Sequence, residues 1–387
     1  TLGEQIVNPH ARASILAEIQ DHIEEQAQDY RASGMSEAVA MQEAVRQMGD
    51  PVSTGEALNQ VHRPKFPIAL FGLAVVLTVL GIAMQYLVYT HLTPDTAILS
   101  DTYLQRTILY NAIGLGLLLL CIFGNYMYLA KGAWILLAIF LLGLLPPWFF
   151  GFYGRQYTLC YYLALVYPLV YALLLYRLRD KGAKAIWFLH GLTLLFLVRM
   201  LFGTIITWST VLAAGCLTLL LLCLAIHRGI LTGSSKRTLW LLTVLPYVAA
   251  AACFVILFFQ NSYMRDRLTE FLKGSNYVQQ MLALEQQQML AFGGGTISSY
   301  VDTESLASTY VLHSIFLWFG IVSGILVIVA LAVLVLRSLH YALHQSNRLA
   351  LLAGTAASGI LLFELLHFVL TNLGCSPVYT ASVPFLS

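Results

Sequence analysis

Charged side chains are scarce in this 387-residue chain: Asp, Glu, Lys and Arg make up 10% of it, whereas 59% is hydrophobic. Soluble domains carry about 25% charged residues, because charge keeps their surfaces wet. With a mean hydropathy of +0.75, the composition excludes an ordinary soluble globule. It predicts an all-α protein that crosses a membrane many times.

Several site signatures are absent as well. The six cysteines contain no CxxC pair, so neither a disulfide framework nor a zinc site is indicated. We expect no cofactor, with a divalent cation as the alternative that no motif indicates. Three glycines, Gly293 to Gly295, lack the Lys and Ser or Thr that complete a nucleotide phosphate loop. No basic face with interleaved aromatic residues occurs outside the membrane loops, which argues against a nucleic-acid partner.

The N-terminal part is acidic: residues 1–60 hold ten of the nineteen acidic residues and three of the twenty-one basic ones. Asn8 and Pro9 predict a helix start, and Gly34 predicts its end. A second helix is predicted from Ser36, and a third over residues 53–61. The second helix is expected to bury Val39, Met41, Val45 and Met48.

We interpret residues 1–63 as a soluble three-helix domain on the cytoplasmic side. A tether or stability element without chemistry is one explanation for it. The segment HIEEQAQDYRASGMSEAVAMQEAVRQMGDP resembles the permease prefix domain of several bacterial membrane proteins. That resemblance implies a regulatory or docking module.

Residues 64–387 form the predicted membrane domain, because apolar runs of about 20 residues, the length that crosses a bilayer, begin after Lys65. We predict nine spans in this chain and leave open whether a tenth follows Ser387. They cover residues 66–89, 108–127, 132–150, 157–176, 185–204, 208–227, 239–260, 311–336 and 349–371. With a cytoplasmic N-terminus, twelve basic residues lie on the inner side and six on the outer side. The positive-inside rule favours this orientation and places the long loop 261–310 outside. The resemblance to bacterial membrane proteins implies that the membrane is the bacterial inner membrane.

The long loop, residues 261–310, concentrates the polar chemistry. Arg265 and Arg267 lie on a predicted amphipathic helix, where they are placed to contact lipid phosphates. Asp302 and Glu304 follow the glycines, and either carboxylate is a candidate general base toward a sugar hydroxyl. A surface helix without a ligand and solvated loop acids are the plainer explanations.

Two ionisable residues share one face of the ninth predicted span, Glu364 and His367. Burying such groups in a bilayer costs several kcal/mol unless they are paired or hydrated. The pair therefore indicates either a cavity-lining functional site or a structural contact between helices.

Three stretches of the membrane domain resemble the SEDS family (shape, elongation, division and sporulation; the FtsW/RodA/SpoVE type). They are YMRDRLTEFLKGSNYVQQMLALEQQQMLAFGGG, STYVLHSIFLWFGIVSGILVI and NLGCSPVYTASVPFLS. The resemblance implies a ten-span fold and a role in cell-wall, cell-shape or division processes. Active members polymerise a lipid-linked disaccharide into peptidoglycan, usually beside a transpeptidase partner.

The resemblance assigns candidate roles and also shows departures. It implies a substrate-binding role for Asn372, Pro384 and Ser387, and we add Arg265, Arg267, Glu364 and His367 to that set. Thr309 stands at the position of the family's catalytic Asp, and a neutral hydroxyl is no general base at neutral pH. The family's motifs after the third span and in the fourth are also reduced.

Three functions follow from these residues. The chain is a glycosyltransferase using Asp302 or Glu304, a non-catalytic scaffold that binds the lipid substrate or a partner, or a lipid transporter built around Glu364 and His367. The absence of an internal repeat argues against the transporter.

Overall fold

The structure is a computed structural model, which describes residues 9–50, 53–54, 67–92, 97–124, 127–145, 156–201, 208–293, 306–376 and 383–386. All regular secondary structure in these ranges is helical. The chain divides into two compact units, Thr1–Ile68 and Ala69–Ser387.

The first unit contains α1 (Pro9–Ala32) and α2 (Glu37–Gln47), which pack together. Gly34 adopts φ +98° after α1, a conformation that ends a helix at little cost only in glycine. The third predicted helix, residues 53–61, lies almost entirely outside the described residues.

The predicted apolar face of α2 was wrong. Small residues form the contact between the helices: Ala27, Ala40 and Ala44 are at most 1% exposed. The larger residues predicted to be buried are exposed: Val39, Met41 and Val45. Alanine lets two helix axes approach more closely than branched side chains do, so the contact follows the alanines rather than the bulkiest residues.

In the second unit, thirteen α-helices lie within the described residues. They are α3 (Ile68–Leu92), α4 (Ala97–Phe123), α5 (Met127–Lys131), α6 (Ala133–Gly143), α7 (Gln156–Arg177), α8 (Ala183–Leu201), α9 (Trp208–His227), α10 (Lys236–Gln260), α11 (Ser262–Leu272), α12 (Tyr277–Gln286), α13 (Val311–Phe319), α14 (Ile321–Leu343) and α15 (Arg348–Asn372).

Eight of these helices are long and apolar enough to cross a membrane, as judged over the described residues: α3, α4, α7, α8, α9, α10, α14 and α15. The protein is therefore a multi-pass helical membrane protein. Seven of the nine predicted spans correspond to one long helix each. The predicted third span contains α6, whose 11 residues extend only about 16 Å, and its remainder, residues 146–150, lies outside the described residues.

The predicted eighth span, residues 311–336, is two helices rather than one. Gly320 separates α13 from α14 and adopts φ +90°. A Cβ at this position would lie 2.6 Å from the Ala291 carbonyl oxygen and the Gly293 nitrogen. The long loop therefore passes directly against the break, which only glycine can accommodate.

The second unit has two main apolar clusters that meet at α15. One joins α6, α7, α8 and α9 with the first half of α15. The other joins α3, α13 and α14 with Leu365 and Phe368, in the second half of α15. Helix α15 thus connects both halves of the bundle and ends beside the long loop.

Candidate functional site

Three segments that are far apart in sequence meet at a buried polar junction. Glu285 lies on α12 in the long loop, His313 on α13, and Asn372 at the end of α15. His313 Nε2 donates to Glu285 Oε2 at 2.8 Å. The exposed fractions of the two residues are 0% and 1%, so this contact lies wholly inside the protein.

Helix α12 is positioned by its cap and by one apolar side chain. The Asn276 side chain accepts from the Val278 N–H at 3.0 Å and starts the helix. Leu282 is fully buried in a cluster with Val88 of α3 and with Tyr310. Residues three apart share a helix face, so the packing that buries Leu282 also turns Glu285 inward.

Asn372 caps α13 from another helix. The first N–H groups of a helix lack partners within it, and Tyr310, the residue that precedes α13, makes no side-chain cap. The His313 N–H donates to Asn372 Oδ1 at 2.9 Å. Asn372 Nδ2 in turn donates to the carbonyl oxygens of Thr309 and Phe368, each at 2.9 Å.

We call Glu285, His313, Asn372 and Thr309 the loop junction. Around it, Gln286 Nε2 donates to the Leu373 carbonyl at 3.2 Å. The Ile321 and Val322 N–H groups, at the start of α14, donate to the carbonyls of Leu290 and Ala291 at 2.9 and 3.2 Å. The long loop is therefore attached by hydrogen bonds to α13, α14 and α15.

The loop junction can position other groups, but its own ionisable side chains are enclosed. Gly293 lies beside α13: a Cβ added to this residue would be 3.8 Å from the Trp318 carbonyl oxygen. Leu306 is fully buried in the cluster under α12. The two described residues that flank the segment 294–305 are therefore both packed against the rest of the second unit, Gly293 beside α13 and Leu306 in the cluster with Leu282. Asp302 and Glu304 lie within that segment.

The predicted catalytic and binding residues of the long loop differ in whether they are described and in how exposed they are. Asp302 and Glu304 lie outside the described residues. Thr309 is half-buried, with its carbonyl bonded to Asn372. Arg265 is exposed on α11, while Arg267 donates to the Tyr263 hydroxyl at 2.8 Å and lies over that ring.

Glu364 and His367 are both buried within α15, at 3% and 8% exposure. Glu364 Oε2 accepts from the Tyr161 hydroxyl of α7 at 2.5 Å. The His367 ring stacks on Phe363 with 5.6 Å between centroids. Glu364 and His367 are eight and five positions before Asn372, so they lie about 12 Å and about 8 Å further along α15 from the loop junction.

The chain's last described residues pack against α3. Val383 and Leu386 are buried, and a Cβ on Gly81 would lie 2.5 Å from the Leu386 carbonyl. Phe385 adopts φ +77°, a strained conformation for a non-glycine residue. Pro384 is exposed, and Ser387 lies outside the described residues.

Sequence reasoning missed Glu285, His313 and Tyr161. A signal existed for His313, because it is an ionisable residue inside a predicted span, the criterion that selected Glu364 and His367. Glu285 lies in a glutamine-rich segment and does not stand out there as an acidic residue. Tyr161 is a single tyrosine in an apolar helix, and no sequence pattern indicates its hydrogen-bond partner. Asn372 was predicted to bind substrate because of the family resemblance, and its capping role was not predicted.

Among the described residues, no group of three or more His, Cys, Asp or Glu side chains is arranged to hold a metal ion. The chain matches no known protein-family model and no curated protein.

Proposed function

We propose that this chain is a bacterial cell-wall protein of the SEDS type that polymerises a lipid-linked disaccharide at the outer face of the inner membrane. In this proposal the N-terminal unit is cytoplasmic, the long loop faces the substrate, and a transpeptidase is the partner. The proposed activity is peptidoglycan glycosyl transfer.

One observation carries the proposal: the loop junction brings together the three stretches on which the resemblance rests. Glu285 belongs to the first, His313 to the second and Asn372 to the third, and hydrogen bonds join all three. These stretches are separated by up to 87 positions, as between Gln286 and Leu373. Their convergence supports a single site rather than three unrelated similarities.

The residues have distinct roles in this proposal. Asp302 or Glu304 is the base that removes a proton from the acceptor sugar hydroxyl. The exposed Arg265 on α11 contacts the diphosphate of the donor, because a guanidinium matches phosphate oxygens. The loop junction joins the long loop to α13 and α15 and so fixes the described part of the loop relative to the membrane helices.

The test uses the purified full chain reconstituted with a lipid-linked disaccharide, with and without a candidate transpeptidase. Glycan polymer is separated by gel electrophoresis. We expect polymer from the wild type, and a loss of at least about 100-fold for Asp302→Asn or Glu304→Gln, the usual contribution of general base catalysis. Glu270→Gln, an exposed carboxylate of α11 in the same loop, is the matched control and should retain activity.

Polymer formation that survives both substitutions would eliminate these two carboxylates as the base. Absence of polymer from the wild type under every condition would refute the enzymatic proposal itself.

A non-catalytic scaffold is the second candidate, and the loop junction supplies an observation in its favour. Thr309 has no acidic group, and the carboxylate of the junction, Glu285, is enclosed with His313 instead of facing a substrate. A scaffold predicts that the wild type binds the lipid-linked disaccharide or the transpeptidase without forming polymer. Binding that is weakened by Arg265→Gln, with no turnover in any variant, would support it.

A further inference from the structure

A depression of about 390 Å³ lies on α14, far from the loop junction, and is lined by Val333, Leu336, Arg337 and His340. These positions follow the i, i+3, i+4, i+7 spacing of one helix face. Arg337 is 16 residues beyond Ile321, or about 24 Å along the helix. The depression therefore lies where α14 leaves the membrane on the face opposite the long loop.

The depression has an apolar half toward the middle of the helix and a polar half toward its end, which is the order from the hydrocarbon core of a bilayer to its headgroups. Val333 and Leu336, both exposed, lie nearer the middle of the helix. Arg337 and His340, also exposed, lie nearer its end, at the depth of lipid headgroups. A ligand that matches this order has an anionic head and an apolar tail.

Other basic groups surround the same helix end. Arg228 Nη2 donates to the Leu343 carbonyl at 3.3 Å. The His344 ring lies 4.2 Å from that of His340, and Arg348 begins α15 immediately afterwards. Arg337 thus shares this helix end with two further arginines, Arg228 and Arg348, and with two imidazole rings.

Within the second unit, no described carboxylate forms an ion pair with Arg337. The four described ion pairs do not include Arg337. The carboxylate of α15, Glu364, lies 16 residues from Arg348, about 24 Å away along the helix. Asp180, between α7 and α8, is engaged with Arg179 at 3.8 Å.

We propose that this depression is a binding site for an acidic phospholipid, whose phosphate contacts Arg337 and His340 and whose acyl chain lies along Val333 and Leu336. Basic pockets at the membrane boundary bind acidic headgroups in this way. A zwitterionic lipid has the same phosphate, but its own cation opposes the surrounding positive charge. The site therefore favours lipids with a net negative charge. This proposal does not depend on the function proposed for the loop junction.

Native mass spectrometry of the purified full chain tests this proposal, with phosphatidylglycerol and phosphatidylcholine as probes. We expect the wild type to bind phosphatidylglycerol more tightly. Arg337→Gln should weaken phosphatidylglycerol binding about fivefold, the effect of one basic residue near an acidic surface. It should weaken phosphatidylcholine binding less, because that lipid carries no net negative charge. Arg237→Gln, an exposed arginine at the start of α10 on the same membrane face, should have no such effect.

A second variant and a competition experiment complete the test. His340→Gln should weaken phosphatidylglycerol binding in the same direction, and it carries the test if Arg337→Gln does not fold by circular dichroism. Equal effects of Arg337→Gln and Arg237→Gln, or no preference for phosphatidylglycerol, would overturn the site. Displacement of the lipid by inorganic phosphate at equal concentration would overturn the lipid as its ligand.

Discussion

Replacing Asn372 with leucine tests whether the loop junction holds the long loop in place. Leucine has a similar volume but cannot accept from the His313 N–H or donate to the Thr309 carbonyl, two contacts of 2.9 Å. The Phe368 carbonyl keeps its partner within α15, because it lies four residues before position 372. Two polar groups are therefore left without partners in a buried region.

Each buried group without a partner costs about 1–3 kcal/mol, so the free energy of unfolding should fall by about 2–6 kcal/mol. The measurement is a reversible SDS titration of the protein in mild-detergent micelles, followed by circular dichroism and tryptophan fluorescence. Hydrogen exchange adds a local measurement. We expect faster exchange over residues 277–293 and 306–319 than elsewhere, because these segments meet at the junction.

Asn347→Leu is the matched control at the other end of the same helix. Asn347 caps α15 by accepting from the N–H groups of Leu349 and Ala350, and it is exposed. Its loss should cost about 1 kcal/mol, because water replaces the lost contacts. If Asn372→Leu costs no more than Asn347→Leu, or if exchange in the long loop is unchanged, the capping argument is wrong.

Two other substitutions follow from the same region. Gly320→Ala should lower the free energy of unfolding by about 2–4 kcal/mol, because its Cβ would lie 2.6 Å from the loop backbone. The control is Gly274→Ala, at φ +66° in open space, which should lower it by about 1 kcal/mol. Equal losses in an unfolding titration would contradict the close approach. Glu285→Leu should lower the free energy of unfolding by about 3–5 kcal/mol, because it leaves His313 buried without its partner, and adding His313→Leu should recover part of the loss. A double-mutant cycle measures this coupling. As the control, Glu43→Gln removes a partly exposed ion pair on α2 and should change stability by less than about 1 kcal/mol.

The coarse architecture could be predicted from sequence because its determinants are local. A run of apolar residues long enough to cross a bilayer is a property of one segment, and seven of the nine predicted spans correspond to one long helix. The start of α1 at Pro9 and its termination at Gly34 were predicted for the same reason. The residue types themselves restrict the backbone at these positions.

Contacts between segments were not predictable in this way. An apolar window over residues 311–336 cannot show that the helix breaks at Gly320, because the reason is the backbone of Ala291 and Gly293 in another segment. The same limitation made the predicted face of α2 wrong. Hydrophobicity ranks Val45 above Ala44, but close approach of two helices favours the smaller residue.

The amino-acid sequence alone thus determined that this is a multi-pass helical membrane protein with an acidic N-terminal part and one long polar loop in its membrane domain. Only the tertiary structure decided that Glu285 pairs with His313, and that Asn372 caps a helix to which it does not belong. The physical reason is that hydropathy and helix capping signals act within a few residues along the chain. A buried polar group, by contrast, must find its partner wherever the fold places one.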